Sequence, residues 1–408
     1  VPASEAGDPR AAAGSRRYRR ALIALFCAGL ATFAQMYSPQ GILPDLAVEF
    51  GVAAGVSSWA VGATTIGVAL GVLPWARASD RFGRVRTMRA AMAAAMAIGL
   101  VAPLMPGFGL FIAARALEGI ALAGLPAIAV TAIAETVRPG ALGGAVGTYI
   151  AGTTIGGLLG RIVAALVGEP LGWRWGVSAV AVLAAIATIL FLLRIPPTVV
   201  PARRGAPTPS ALASNLRTPG VMVLVAQAFL LMGGFVAAYN YLAFRLQHDP
   251  FGLTLAQVSW IFLAYLAGAA ASRWVWRLAR RIPPTGVLLG CVGVMLAGIA
   301  LTLPASLPLA ILGLVLFTGG FFAAHSIASG LIERRASAEG RSVAPPLYNL
   351  GYYAGSSLLG WLGGVAFALA GWTGTALMVG GAALAAGALA WAYALTRGGI
   401  AAADRPAE

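Results

Sequence analysis

The chain has no lysine; all 28 of its basic residues are arginine. It has two cysteines, Cys27 and Cys291, and two histidines, His248 and His325. Charged residues make up only 10% of its 408 residues, against about 25% in a typical soluble domain. Each shortage excludes something. Two cysteines, both in apolar runs, make neither a disulfide framework nor a metal spacing and read as small core residues. So few charges cannot keep a 59% hydrophobic chain in water, so lipid is its solvent. No nucleophile–base set, metal cluster or phosphate-cradling glycine loop after a strand is present. No enzyme, cofactor or metal site is therefore expected. The formal charge of +15 does not point to nucleic acid either, because the arginines fall in alternate loops rather than on one face.

What is there is a series of apolar stretches, each near the roughly twenty residues that cross a bilayer. They lie at 21–43, 55–77, 87–105, 108–135, 142–168 and 172–195, then at 220–246, 254–279, 285–304, 307–332, 342–369 and 372–396. The expected fold is an all-α membrane protein with twelve transmembrane helices in two pseudo-symmetric six-helix bundles. The expected parts are an N-terminal tail (1–20), a first bundle (21–195), a linker (196–219), a second bundle (220–396) and a C-terminal tail (397–408). The linker is rich in Pro (Pro196, Pro197, Pro201, Pro207, Pro209) and Arg (Arg203, Arg204, Arg217) and reads as irregular.

Arginine counting sets the orientation. Five lie in the N-terminal tail, and further clusters are Arg77–Arg89, Arg273–Arg281 and Arg334–Arg341. The intervening loops at 106–109, 304–308 and 369–373 have none. Both termini are then expected in the cytoplasm. Ser15-Arg16-Arg17 before an apolar run partly looks like a twin-arginine export signal. The run is too long and too many spans follow, so these arginines read as part of the orientation signal. The arginine bias fits a GC-rich bacterial genome, and the expected location is a bacterial cytoplasmic membrane.

Four ionisable residues sit deep in spans: Arg115, Glu118, Arg161 and His325. Charges in hydrocarbon are costly and mark functional sites by default. Arg115 and Glu118 are three apart, so they share a helix face and can pair. Burial favours a neutral carboxyl and a guanidinium favours an ionised one. A carboxylate held between the two can take up and release a proton, with Glu118 as carrier and Arg115 as modulator. The alternative is a static pair that fixes packing. Arg161 either reaches an interface or faces the interior and attracts an anionic group. His325 either relays protons or is a buried, hydrogen-bonded histidine.

Gly71 to Met88 reads GVLPWARASDRFGRVRTM. It resembles the signature loop between the second and third helices of the major facilitator superfamily, with Asp80, Arg81, Gly83 and Arg84 at its best-known positions and Ala76 where the pattern has Gly. The resemblance implies a conformational latch, and Glu135, at the end of the fourth span, is expected to pair with a loop arginine such as Arg84. The corresponding stretch of the second half, Ser272 to Pro284, keeps its arginines but has no Asp. The fourth-span run Arg115-Ala-Leu-Glu118-Gly119 resembles that of proton-coupled exporters. The fifth span, with Gly147, Gly152, Gly156 and Gly157, resembles the antiporter motif of drug exporters, except that Thr153 replaces its proline. With LYNLGYYAG at 347–355 and GGFFAAHSIASG at 319–330, these segments look most like the acriflavine-sensitivity branch of drug:proton antiporters.

That resemblance implies proton-driven efflux of small amphipathic or aromatic compounds by alternating access, from a monomer whose first, fourth, seventh and tenth helices line a cavity. Gln35, Tyr37, Tyr149, Arg161, Gln227, Asn240 and Tyr352 are candidate substrate contacts, and packing between helices is the plain alternative for each. A proton-coupled carrier of a sugar, metabolite or organic anion remains open, as do a lipid translocase and a non-transporting membrane sensor or scaffold. Glycines recur at equivalent places in the fifth and eleventh spans, as expected of related halves.

Overall fold

The computed structural model describes residues 8–197, 209–341, 343–400 and 404. Residues 1–7 of the expected N-terminal tail, 198–208 of the linker and most of the C-terminal tail lie outside the described residues.

Sixteen α-helices follow in order: α1 (Arg16–Tyr37), α2 (Leu43–Phe50), α3 (Ala54–Ser57), α4 (Trp59–Phe82), α5 (Arg84–Val101), α6 (Phe108–Leu122), α7 (Ala129–Thr136), α8 (Pro139–Leu171), α9 (Trp173–Arg194), α10 (Pro209–Arg217), α11 (Pro219–Gln247), α12 (Leu255–Ser259), α13 (Ala264–Leu278), α14 (Pro284–Leu301), α15 (Leu307–Arg335) and α16 (Ala344–Thr396). No strand occurs among the described residues. Local sequence sets the ends. Ser15 caps α1 by accepting a bond from the Tyr18 amide at 3.1 Å, which satisfies one of the orphan donors of the first turn. Proline opens α8, α11 and α14, where its missing N–H costs nothing. Gly371, at φ 56°, turns the chain inside α16, in a region that only glycine enters freely.

Ten of the helical stretches are long and apolar enough to cross a membrane. Two departures reconcile this with twelve crossings. The stretch Ala344–Thr396 is two helices joined across the non-helical pair Ala370–Gly371. The fourth span, expected as one helix over 108–135, is broken into α6 and α7. Pro126 explains the break. It has no N–H for the Leu122 carbonyl, and it disfavours helical geometry at Leu125. The chain passes through tight turns instead, with Leu125 N–H donating to Leu122 O at 3.2 Å and Ile128 N–H to Leu125 O at 3.0 Å. Trp75 Nε1 on α4 donates to Ile120 O at 2.7 Å, beside the break.

The chain divides into two compact units, one of Val1–Pro39 with Gly67–Ala206 and one of Gln40–Ile66 with Pro207–Glu408. In unit 1, α8 packs on α1 through Gly152, Gly156 and Gly160. A Cβ at these positions would strike the Phe26, Leu30 and Ala34 carbonyls in turn. In unit 2, α16 packs on α11 the same way, with Gly351 and Gly355 against the Val225 and Phe229 carbonyls. Small residues let membrane helices approach backbone to backbone, and the same device in both units is the internal repeat expected from the glycines. The linker departs from an irregular reading: α10 is helical, tied by Asn215 Nδ2 to Gly340 O at 2.7 Å and by a 2.7 Å Ser214–Ser337 hydroxyl bond.

Candidate functional site

The end of α1 builds the centre of unit 1. Pro39 lacks the N–H that Gln35 O would receive four residues on, so α1 stops and its last carbonyls need other donors. Arg115 supplies them. Its Nη2 donates to Gln35 O at 2.9 Å and Met36 O at 3.0 Å, and its Nη1 donates to Glu118 Oε2 at 2.5 Å. The cation thus serves a helix C-terminus, where positive charge is favoured, and a carboxylate on its own helix. Both side chains are almost wholly buried. Three buried polar atoms beside them have no hydrogen-bond partner among the described residues: Glu118 Oε1 and both amide atoms of Gln35. Two of them, Glu118 Oε1 and Gln35 Nε2, border the space where Gly99 of α5 lacks a side chain. A Cβ there would lie 2.9 Å from Glu118 Oε1 and closer still to Gln35 Nε2.

Arg161, on α8, is buried at 2% exposure. Its Cζ lies 4.4 Å from the centre of the Tyr37 ring, and its Nη1 donates to Gly157 O. The guanidinium therefore lies inside unit 1 and not at a surface. The first unit thus brings together Gln35, Tyr37, Arg115, Glu118 and Arg161 from α1, α6 and α8. Tyr149 lies elsewhere, in an apolar cluster with Leu25, Cys27, Met88 and Met92.

The interior of unit 2 is built of rings. Phe235 stacks on Phe321 at 4.0 Å, and Tyr239, Phe262, Tyr265 and Phe317 surround them. His325 continues the cluster, stacked on Phe321 at 5.9 Å and lying 5.0 Å from Tyr352. Its Nδ1 is 2.9 Å from the Tyr348 hydroxyl. Asn240 and Gln227 do not join this group. Asn240 Oδ1 accepts from Gln40 Nε2 at 2.7 Å, and Gln227 Nε2 donates to Ala386 O at 3.4 Å.

At the Gly83 turn of unit 1, φ is 88°, which positions the start of α5 against the end of α4. Arg84 bonds Asp80 Oδ1 at 2.5 Å, Glu135 Oε1 at 3.3 Å and the Ser79 hydroxyl. Arg81 stays out of this network, with its guanidinium 5.3 Å from the Phe82 ring centre. Residues 8–11 lie against the same end of the fourth span: Ala11 N–H donates to Thr136 O at 2.8 Å, and Arg138 N–H to Ala11 O at 3.0 Å. The Asp8 carboxyl is held below its usual range chiefly by its hydrogen bonds from the Arg10 side chain.

In unit 2 the carboxylate missing from 272–284 comes from the C-terminal end. Asp404 Oδ2 accepts from Thr285 N–H at 3.1 Å, its Oδ1 accepts from Thr285 Oγ1 at 2.6 Å, and Arg335 Nη2 lies 3.5 Å away. Spacing gives no sign of Asp404 or Gly99, because both act across the fold. Pro126 does carry a visible signal for the break in the fourth span. Of the antiporter-type glycines, Gly152 and Gly156 contact the α1 backbone, Gly157 lies 3.2 Å from Arg161 Nη1 when given a Cβ, and Gly147 faces open space.

The architecture is polytopic and helical, with the Arg115–Glu118 pair buried in one unit and a ring cluster in the other. The chain matches the Major Facilitator Superfamily over residues 22–358, and it belongs to that family of transporters. It is 36% identical to the inner membrane transport protein YnfM of Escherichia coli (strain K12) over 90% of this chain and 88% of that one. It is 28% identical to a chloramphenicol resistance protein of Streptomyces lividans over 72% of this chain and 75% of that one. Its fold resembles that of a bacterial homolog of the human lysosomal transporter Spinster in an inward-facing and occupied conformation. That match has TM-score 0.76 at 16% identity and covers 97% and 100% of the two chains. A multi-pass membrane transporter takes a small-molecule substrate across a lipid bilayer.

Proposed function

We propose that this protein is a proton-coupled exporter of small amphipathic or aromatic compounds, of the acriflavine-sensitivity kind. It works by alternating access as a monomer in a bacterial inner membrane, with both termini cytoplasmic. The observation that carries this reading is Glu118, a buried carboxylate with one oxygen on Arg115 and the other without a hydrogen-bond partner among the described residues. An unpaired buried acceptor is costly, which favours a carboxyl group whose second oxygen takes a further partner over one held only for packing. Proton uptake at Oε1 would relieve that cost, and release would restore the pair. The ring cluster around Phe321, His325 and Tyr352 suits an aromatic or cationic cargo, and the chloramphenicol resistance relative supports export. The Asp80–Arg84–Glu135 network would act as a latch for one end state.

A second reading, movement of a sugar, metabolite or organic anion, is favoured by Arg161, a second guanidinium buried in the same unit. One experiment separates the two. Proteoliposomes with a trapped pH indicator receive chloramphenicol, tetraphenylphosphonium or a panel of organic acids and sugars, with wild type and Glu118→Gln. Proton flux on chloramphenicol or tetraphenylphosphonium, lost in Glu118→Gln, is expected. Flux only with acids or sugars would establish the second reading, and flux unchanged in Glu118→Gln would remove Glu118 from coupling.

A further inference from the structure

Three buried polar atoms of unit 1 bond to nothing described, and two of them, Gln35 Nε2 and Glu118 Oε1, border the space above the Gly99 backbone. The third is Gln35 Oε1. The Gln35 backbone is already engaged, because its carbonyl accepts from Arg115 and from Ser38 Oγ. The side chain is therefore placed by α1's end and lies beside the one Glu118 oxygen that Arg115 does not hold. Gly99 makes the approach possible: a methyl there would meet both Gln35 Nε2 and Glu118 Oε1. A primary amide has a donor and an acceptor on one planar group. It can face a carboxylate with its N–H or a carboxylic acid with its oxygen by turning over.

Resting on the proton-coupled reading above, we infer that the Gln35 amide is the hydrogen-bond partner that Glu118 takes in exchange for Arg115 when it binds a proton. The proton adds to Oε1. One O–H bond forms, no other covalent bond changes, and the Glu118 charge falls from minus one to zero. The new O–H donates to Gln35 Oε1. Arg115 stays charged and keeps the Gln35 and Met36 carbonyls. In the ionised state Arg115 holds Oε2 and the Gln35 amide makes no hydrogen bond to Glu118, as in the arrangement described above. Gln35 is thus a positioning residue that reads the proton state of the fourth span and reports it to α1 through a side chain whose backbone is already fastened to Arg115.

Other charged groups leave this exchange local. Arg115 is on the same helix, and Arg161 of α8 is stacked on Tyr37 of α1. Facing stretches 67–71 of α4 and 92–99 of α5 carry no charge. Arg174 of α9 is engaged with the Pro103 and Met105 carbonyls.

The test is infrared difference spectroscopy of the full chain in lipid, between acid and alkaline buffer, with no substrate needed. Wild type should show a protonated carboxyl C=O band that disappears in Glu118→Gln. In Gln35→Leu that band should persist and move to higher wavenumber, because its O–H has lost its acceptor. Gly99→Ala, whose methyl displaces the amide, should give the same shift. If Gln35→Leu does not fold, Gln35→Met keeps the side chain's length without its hydrogen-bonding groups. A band at the wild-type position in both a Gln35 variant and Gly99→Ala overturns the exchange while leaving Glu118 as the proton carrier. No Glu118 band in wild type at any pH overturns the carrier reading itself, and this inference with it.

Discussion

The fourth helix of the first half carries Arg115 and Glu118, whereas the fourth helix of the second half carries Phe317, Phe321 and His325. The first is broken at Pro126 into the 15-residue α6 and the 8-residue α7, whereas α15 runs unbroken for 29 residues. Both units use glycine-on-backbone packing between their first and fifth spans. The interiors nevertheless follow different rules. A charge in hydrocarbon costs several kcal/mol, so the contacts of Arg115 must be in place, among them a carboxylate and two helix-end carbonyls. Rings need no such completeness. Each aromatic pair adds about 0.5–1.5 kcal/mol beyond its buried area, and losing one leaves the rest. The surroundings of the fourth span are therefore specified by chemistry in unit 1 and by shape in unit 2, whose own buried ion pair, Arg335–Asp404, lies at the end of α15. On the proposed function, the ionic site would take the proton and the ring-lined interior the cargo.

The largest way to break this contrast is to remove one charge from unit 1. Arg115→Met leaves Glu118 buried without its cation, takes the guanidinium donor from the Met36 carbonyl and leaves the Gln35 carbonyl only the Ser38 hydroxyl. The expected loss is about 3–5 kcal/mol of stability, as for other buried pairs stripped of one partner. Thermal unfolding in detergent measures it. Arg115→Met combined with Glu118→Gln should recover a substantial part, because the uncompensated charge is gone. If the single variant is as stable as wild type, the first unit does not depend on its ions and the contrast fails.

A smaller effect tests the packing that the two units share. Gly156→Ala puts a methyl against the Leu30 backbone, 2.6 Å from its Cα, and should cost about 1–3 kcal/mol through overpacking. Gly147→Ala, with nothing within 4 Å, should be neutral or slightly stabilising, since alanine favours helix by up to about 1 kcal/mol. Equal effects at the two sites would mean that the glycines serve the motif rather than the contact.

Much of this was legible in the residues themselves. Twelve spans follow from hydropathy, and the pairing of Arg115 with Glu118 follows from a spacing of three. The link from Arg84 to Glu135 follows the expectation that a carboxylate at the end of the fourth span pairs with a loop arginine. The rest depends on partners that no local pattern ties together. Gln35 and Gly99 are 64 positions apart and are related only by where α1 ends. Asp404 stands in for a carboxylate that its own half lacks between Ser272 and Pro284, from 119 positions beyond Thr285. The break in the fourth span was open to view at Pro126, but apolar periodicity runs straight through it and outweighed the missing N–H.

The two ends that carry these networks sharpen the comparison further. In unit 1 Glu135 is buried at 4% exposure and shares Arg84 with Asp80. In unit 2 Asp404 caps the first turn of α14 and stands 3.5 Å from Arg335. Asp404→Asn keeps an acceptor for the Thr285 N–H but removes the charge facing Arg335. The expected cost is about 1–2 kcal/mol, within the range for a charge-assisted bond and a helix cap. Unfolding measurements on Asp404→Asn and Glu135→Gln should therefore show comparable losses. An Asp404 variant with no loss would leave the second half without a counterpart to the Glu135 network.

The smallest expected effect concerns His325, and it bears on the contrast most directly. His325 touches Phe321, Tyr348 and Tyr352 and makes one hydrogen bond, to the Tyr348 hydroxyl. If the fourth span of unit 2 works by shape, a ring without a proton should replace it. His325→Phe should then cost about 1 kcal/mol, the net worth of one hydrogen bond, and leave the proton flux of the liposome assay near wild type. Any change should fall on which cargo elicits flux, because the replaced ring lines the aromatic cluster. Loss of proton flux with every cargo, in a protein that still unfolds cooperatively near the wild-type temperature, would place a titrating group in each half. Proton handling would then be divided between Glu118 and His325, and the assignment of ions to one fourth span and rings to the other would describe packing alone.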